Sequence, residues 1–342
     1  MTRRSLFSVT VAIVASALSC FGQEPPLRFA TSIAVPGVAR KWDHFAADLE
    51  KHRLFVTSEE DPAVEVIDVR TNKLIKSLRD FKEPHNVVVF PDMKKLYVID
   101  GGASEIKILN YESYELIGRI QLAIDADPYV YDASTKLLYV VNGGRQAHTP
   151  YCLISVVDVK TDKKIVDIKL DTNRLESMTL DKSSSRLFVN MTGINKIGII
   201  DRVKRLLSET WEIYAAKENV PMRYDETDRR LFVATRKPSK LVVVDSDTGK
   251  EIRRLDVTDY VDDLAYDRTL RRIYVSGGGG NGAVDIVEQR GPDGYNVVAS
   301  VPTKPGAKTA LFVPELHKYY VGVPSRDGQQ AEIMVFDVAR YH

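Results

Sequence analysis

A three-residue pattern, an apolar residue, an aromatic and a valine, returns seven times along the chain: Leu54-Phe55-Val56, Leu96-Tyr97-Val98, Leu138-Tyr139-Val140, Leu187-Phe188-Val189, Leu231-Phe232-Val233, Ile273-Tyr274-Val275 and Tyr319-Tyr320-Val321. Successive copies lie 42, 42, 49, 44, 42 and 46 residues apart. A repeat of this length is the period of a four-stranded unit that cannot bury its apolar faces alone and must stack against copies of itself. A second anchor comes after each triplet, an apolar residue and then an acid or amide: Ile67-Asp68, Leu109-Asn110, Val157-Asp158, Ile200-Asp201, Val244-Asp245, Val287-Glu288 and Phe336-Asp337. The offset from the triplet valine to this polar anchor is 12 in the first, second, fourth and fifth copies, but 18, 13 and 16 in the third, sixth and seventh. Length variation is therefore concentrated in one kind of loop.

Each unit reads as four short strands rich in β-branched and aromatic residues, punctuated by Gly, Asn, Asp and Pro. In the first, the expected inner strand is Phe45-Ala46-Ala47, the second runs from Arg53 to Thr57, the third from Ala63 to Val69 and the outer from Leu74 to Leu78. Five copies carry an aspartate eight residues before the triplet valine, Asp48, Asp132, Asp181, Asp225 and Asp267. The turn there favours a side chain that caps backbone amides, so an architectural role is expected for it. The seventh unit has no room for an outer strand before the chain stops at His342, while residues 27–35 form an unassigned strand ahead of the first unit. Pairing the two closes a ring and removes an exposed edge. The expected fold is all-β, a seven-bladed β-propeller of four-stranded antiparallel blades over residues 23–342, closed by its own N-terminal strand.

The segment Leu138-Tyr139-Val140-Val141-Asn142 resembles the YVTN signature, and Val64-Glu65-Val66-Ile67-Asp68-Val69-Arg70-Thr71-Asn72-Lys73 resembles the stretch just after that signature in YVTN, or YncE-like, β-propeller repeats. The resemblance covers essentially the whole mature chain and implies a fold. The motif builds blades and marks no site.

Residues 1–22 have the order of an export signal: Arg3-Arg4, an uncharged and mostly apolar run from Leu6 to Leu18, then small residues. The run is too short to span a bilayer comfortably. Ala17-Leu18-Ser19-Cys20 approaches a bacterial lipobox. Acylation of Cys20 and simple cleavage near Ser19 or Gly22 both fit. The chain is thus expected outside the cytoplasm, in a bacterial periplasm or envelope, as a monomer touching membrane only through such an anchor. Cys20 and Cys152 are the only cysteines. Once Cys20 is removed or acylated, Cys152 has no intramolecular partner, so the fold cannot rest on a disulfide; Cys152 reads as a small apolar filler. Lys plus Arg total 48 against 47 for Asp plus Glu, which argues against nucleic acid as a partner. The basic clusters at Arg202-Val203-Lys204-Arg205, Arg229-Arg230, Arg253-Arg254 and Arg271-Arg272 suit blade edges.

In such a ring the loops entering the inner strands share a face with those joining the second and third strands. Residues at the inner-strand starts, Asp43, His44, His85, Asn86, Asp127, Glu176, Arg223, Asp262, Asp263 and Lys308, should surround one channel mouth. Two imidazoles and several carboxylates within reach of each other are the makings of a metal or acid-base site. His44, His85 and Asp262 are the candidate metal ligands, and Arg223 or Lys308 the candidate anion-binding cations. The bland alternative is a polar channel that holds only water. No cofactor is expected unless it is a divalent metal, since no His-Glu-x-x-His or paired Cys-x-x-Cys spacing occurs. The long third-unit loop offers Arg145, His148 and Tyr151 for contacts, and residues 324–330 offer another loop. Residues 276–282, rich in glycine, lack the Lys-Ser/Thr ending of a phosphate loop and read as a tight turn.

With no self-contained catalytic motif, the first functional reading is a scaffold that binds a protein or small molecule at the loop-rich face. A metal-assisted hydrolase or lyase at the channel mouth, and an accessory subunit of an envelope redox enzyme, are the alternatives. The last would borrow any redox group from its partner, because the chain has no Cys-x-x-Cys-His motif.

Overall fold

The triplets become the second strands of seven four-stranded antiparallel sheets. The computed structural model describes residues 24–36, 41–214, 216–326 and 328–339; the expected export signal over residues 1–22, with Cys20, lies outside them. In blade 1 the strands are Trp42–Asp48, Arg53–Ser58, Ala63–Asp68 and Lys73–Leu78, in that order from the axis outward. The inner strand starts at Trp42, three residues before the expected Phe45. Blades 2 to 6 repeat the plan.

The triplet recurs because each second strand is buried on both faces and side chains alternate across a strand. Leu54 and Val56 belong to the hydrophobic cluster between blades 7 and 1, whereas Phe55 points into the one between blades 1 and 2. Leu96 and Val98 join Phe55 there, and Tyr97 goes on to the next cluster. The same hand-over continues through Tyr139, Phe188, Phe232 and Tyr274 until Tyr320 returns to the cluster holding Leu54. The core is therefore seven separate cores, one per blade interface, each taking the triplet aromatic from one blade and the two flanking triplet residues from the next, aliphatic in six of them and Tyr319 with Val321 in the one between blades 6 and 7.

The repeated aspartates cap the turn after the inner strand. Asp48 accepts the Lys51 amide at 3.2 Å, Asp132 that of Ser134 at 3.0 Å, Asp181 that of Ser183 at 3.0 Å, Asp225 that of Thr227 at 3.0 Å and Asp267 that of Thr269 at 2.9 Å. Blades 2 and 7 have Phe90 and Val313 at that place, and short 3-10 turns, Pro91–Met93 and Pro314–Leu316, make the corner instead. There the proline supplies the fixed φ that starts the turn.

Blade 7 is built from both ends of the chain. Leu27–Ala34 pairs antiparallel with Glu332–Val338, and Val35 continues by donating its amide to Ala331 at 3.0 Å. Trp42 fastens the seam by donating its indole N–H to the Val323 carbonyl at 2.8 Å. Every outer strand also bulges by one residue, at Ile75, Ile117, Ile165, Ser208, Ile252, Val298 and Ala30 in the seven blades. A bulge bends and twists a strand, so these edges are poor templates for another chain despite exposed apolar side chains such as Ile75 and Ile117.

Candidate functional site

A second set of bulges lies at the axis. In blades 1, 2, 5 and 6 the inner strand carries more residues than its partner, at Asp43-His44, His85, Val220-Pro221 and Asp262. A bulge re-aims a side chain out of the alternation. It also explains the early start of the first inner strand, which pairs at Trp42, loses register over Asp43 and His44, and regains it at Phe45. The starts of all seven inner strands close on a cavity of about 680 Å³ whose walls include Asp43, Asp127, Glu176, Arg223, Asp262 and Lys308.

The acid-imidazole cluster occupies one side. His85 Nδ1 is 2.7 Å from Asp43 Oδ2, both side chains being buried. His44 is different: its Nε2 lies 3.8 Å from Asp43 Oδ1 and 3.7 Å from Asp127 Oδ1, and its Nδ1 3.9 Å from Asp263 Oδ1. These gaps are too long for hydrogen bonds, and among the described residues the ring makes none. Its backbone is fixed, with the amide donating to Thr57 Oγ1 at 3.0 Å while that hydroxyl donates to the His85 carbonyl at 2.7 Å. Asn86 Nδ2 donates to Asp127 Oδ1 at 3.0 Å and to the Asp127 carbonyl at 2.9 Å. Asp263 accepts the Ala310 amide at 2.7 Å. Glycine is required at 101, since a Cβ there would stand 2.7 Å from the His85 ring.

Cations line the rest, mostly matched to carboxylates. Lys41 pairs with Glu59, Lys308 and Arg236 both pair with Asp262, and Arg174 meets Glu176 at 2.7 Å. Arg223 donates to its neighbour's carbonyl, Met222 O, at 2.8 Å, and among the described residues it forms no salt bridge, although its charge pulls on the Asp263 carboxyl.

The charges bias one another. Burial pushes the His44 imidazole down, but Asp43, Asp263 and Asp127 outweigh it and raise the pKa to about 9. For His85 burial is likewise overcome, by Asp127, Asp43 and Glu59, to about 10. Burial pushes the Asp43 carboxyl up, yet His44, His85 and Lys308 hold it below the usual carboxylate range. Asp127 goes the other way: burial and the nearby Asp43 charge push it up to about 7 against the pull of His85 and His44. Burial, then Asp43, also raises Glu59. A region with this charge set favours a cationic or hydrogen-bond-donating group beside the acids.

Of the candidate residues, His44, His85 and Asp127 come together, with Asp43 between them. Asp262 stands apart, tied to Lys308 and Arg236; the groups whose ligand atoms all fall within 4.8 Å of one another are Asp43, Glu59 and His85, and Asp43, His44 and Asp127. Glu176, Arg223 and Lys308 line the same cavity, and so does Arg145 of the third-blade loop. His148 and Tyr151 are not in its wall, and the Tyr151 ring lies under Lys169 Nζ at 4.4 Å. Cys152 lines the cavity as a buried thiol, with burial pushing it up to about 11. Lys41, Glu59, Arg174 and Arg236 are members that a search of inner-strand starts misses. Glu59 and Arg236 sit at the ends of second strands, and tracing the loop-rich face to those ends would have found both.

No protein-family description matches the chain, and neither does any curated protein. Solved structures do. Hydrazine synthase of Kuenenia stuttgartiensis superposes with a TM-score of 0.70 at 17% identity, over 84% of this chain and 95% of that one. A chain in the crystal structure of a mitotic checkpoint complex superposes with a TM-score of 0.73 at 13% identity, over 99% of each. At such identities the likeness is one of fold, and the fold is the seven-bladed β-propeller.

Proposed function

We propose that this chain is an exported, YVTN-type propeller that acts as a binding scaffold in the bacterial envelope and takes a small polar ligand at its channel mouth. One observation carries the binding reading. Seven inner strands converge on a cavity of about 680 Å³, where the His44 ring stands 3.7 to 3.9 Å from three carboxylates with no hydrogen bond of its own among the described residues. Polar groups held just beyond bonding distance by a rigid scaffold suit a guest that bridges them. In the same cavity Arg223, which forms no salt bridge among the described residues, fits an anionic end of that guest. The ligand is therefore a small molecule with an anionic group and a second polar end.

The test is a calorimetric and thermal-shift screen of small organic anions and zwitterions against the purified protein. A ligand that raises the melting temperature should lose roughly 10- to 100-fold in affinity when Arg223→Ala removes one charged hydrogen bond. Failure of every compound to bind, or binding indifferent to Arg223, overturns the reading. Export rests on Arg3-Arg4 and the apolar run Leu6 to Leu18. Fractionation of bacterial cells producing the full chain should find it in the envelope, with Cys20→Ser releasing it from membranes if that thiol is acylated. Retention in the cytoplasm with the leader uncut would rule export out.

A further inference from the structure

We infer that the channel mouth binds a divalent cation through Asp43 Oδ1, His44 Nε2 and Asp127 Oδ1, with its open side turned to the ligand. The inference rests on the ligand-binding reading of the same cavity and gives it a chemistry. Ligand atoms about 2.1 Å from a tetrahedral metal lie roughly 3.4 Å from each other. His44 Nε2 is 3.8 Å from Asp43 Oδ1 and 3.7 Å from Asp127 Oδ1, so small side-chain rotations bring the set to coordination distance. All three ligand atoms lie within 4.8 Å of one another.

The supporting groups are those a metal site needs, because ligands must be held by partners on their far sides. The second oxygen of Asp43 is 2.7 Å from the buried His85 Nδ1, which leaves Oδ1 for the cavity. Asp127 is held by Asn86, whose Nδ2 donates at 3.0 Å to the ligating oxygen Oδ1 itself, leaving that atom's other lone pair for a cation, and at 2.9 Å to the Asp127 carbonyl. Asp263 Oδ1 lies 3.9 Å from the other ring nitrogen of His44, Nδ1, too far to bond it as it stands but placed to accept from it once the ring rotates onto a cation, the carboxylate-imidazole order that orients a ligating histidine. Bulges place Asp43, His44 and His85. The ligands come from blades 1 and 3, and their supports His85 and Asn86 from blade 2 between them, so the site needs the assembled ring.

The other close group, Asp43, Glu59 and His85, is less open to a cation, because Lys41 already pairs with Glu59 and His85 with Asp43. Asp262 is likewise held by Lys308 and Arg236. One imidazole with two carboxylates suits Zn²⁺ or Mn²⁺. Three protein ligands leave a position for an oxygen of the bound molecule, with Arg223 taking its anionic end.

The experiment uses purified protein stripped with a chelator. Zn²⁺ is titrated by equilibrium dialysis with elemental analysis, and Co²⁺ is followed by its visible absorption. One equivalent of each is expected, with His44→Gln and Asp127→Asn each weakening Zn²⁺ by roughly 100-fold and His85→Gln, a supporting group, by roughly 10-fold. Absence of a stoichiometric equivalent in the wild type overturns the inference, and so does binding that survives both His44→Gln and Asp127→Asn unchanged. The wild-type Co²⁺ spectrum decides even where a variant fails to fold. If no cation binds yet the Arg223-dependent ligand still does, the cation falls and the ligand site stands; if neither binds, both fall.

Discussion

Deleting residues 24–35 should remove the cooperative unfolding transition or lower the melting temperature by about 10 °C or more. The strand Leu27–Ala34 supplies one whole edge of blade 7, in register with Glu332–Val338 from Leu27 opposite Val338 to Ala34 opposite Glu332. It buries Leu27 and Ile33, and Val35 just beyond it, at 2%, 1% and 0% exposure. At about 1.5–3 kcal/mol for each buried side chain, those three alone contribute roughly 5–9 kcal/mol. That rivals the whole margin of a typical domain, about 5–15 kcal/mol, and in a chain this long each kcal/mol shifts melting by about 2–4 °C. Loss of the strand also frees the edge of Glu332–Val338 for pairing with other chains. Scanning calorimetry on the deletion variant checks this. A melting temperature within about 2 °C of the parent, less than 1 kcal/mol would produce, would contradict closure by the N-terminal strand.

Closure was legible because it is a deficit that can be counted: one strand too few at the end, one too many at the start. The blade number was legible for a related reason. A strand sandwiched between two neighbours must satisfy both, so Phe55, Tyr97, Tyr139, Phe188, Phe232, Tyr274 and Tyr320 recur at a fixed place, the first six between aliphatics and Tyr320 between Tyr319 and Val321. The channel mouth was legible only as a neighbourhood. Knowing that inner strands begin there gathers His44, His85, Asp127, Glu176, Arg223, Asp262 and Lys308, but it does not say which face each other. That depends on the bulges at Asp43-His44, His85 and Asp262, whose extra residues leave no mark in a repeat read at single-residue alternation. Asp262 shows the consequence. Position along the chain groups it with the histidines, yet its carboxylate goes to Lys308 and to Arg236, which arrives from the end of a second strand.

The division of labour that results explains how such a ring carries function. Seven interfacial cores fix the blades, and the turns at the far end are closed by aspartates or 3-10 corners. The mouth is left with broken register and unmatched polar groups. The two ends of an inner strand thus carry carboxylates with opposite duties. Asp43 and Asp263 face a cavity, whereas Asp48 and Asp267, at the other ends of the same strands, are bonded into the turns.

Asp181→Ala is the sharpest test of that division, and it should cost about 3 kcal/mol while leaving ligand and metal binding unchanged. The side chain is fully buried and accepts from the Ser183 amide at 3.0 Å, Ser184 Oγ at 2.8 Å, Arg186 Nη2 at 2.8 Å and Arg229 Nη1 at 3.3 Å. Removing a buried carboxylate leaves its guanidinium partners uncompensated, which usually costs about 3–5 kcal/mol. The low end applies because Arg186 and Arg229 both keep Asp247 and remain partly exposed. The effect has a pH signature. Burial pushes the Asp181 carboxyl up, but Ser183, Arg186 and Ser184 outweigh it and hold the pKa below the usual carboxylate range. A carboxylate depressed in the folded state stabilises above its unfolded value, about 3.9, and that stability is lost as pH falls toward the folded value. Urea unfolding of the two proteins should therefore differ most at neutral pH and converge as the pH drops below about 4. A variant as stable as the parent at neutral pH, or one that folds normally but loses ligand, would mean that the repeated aspartates serve the site and not the blades.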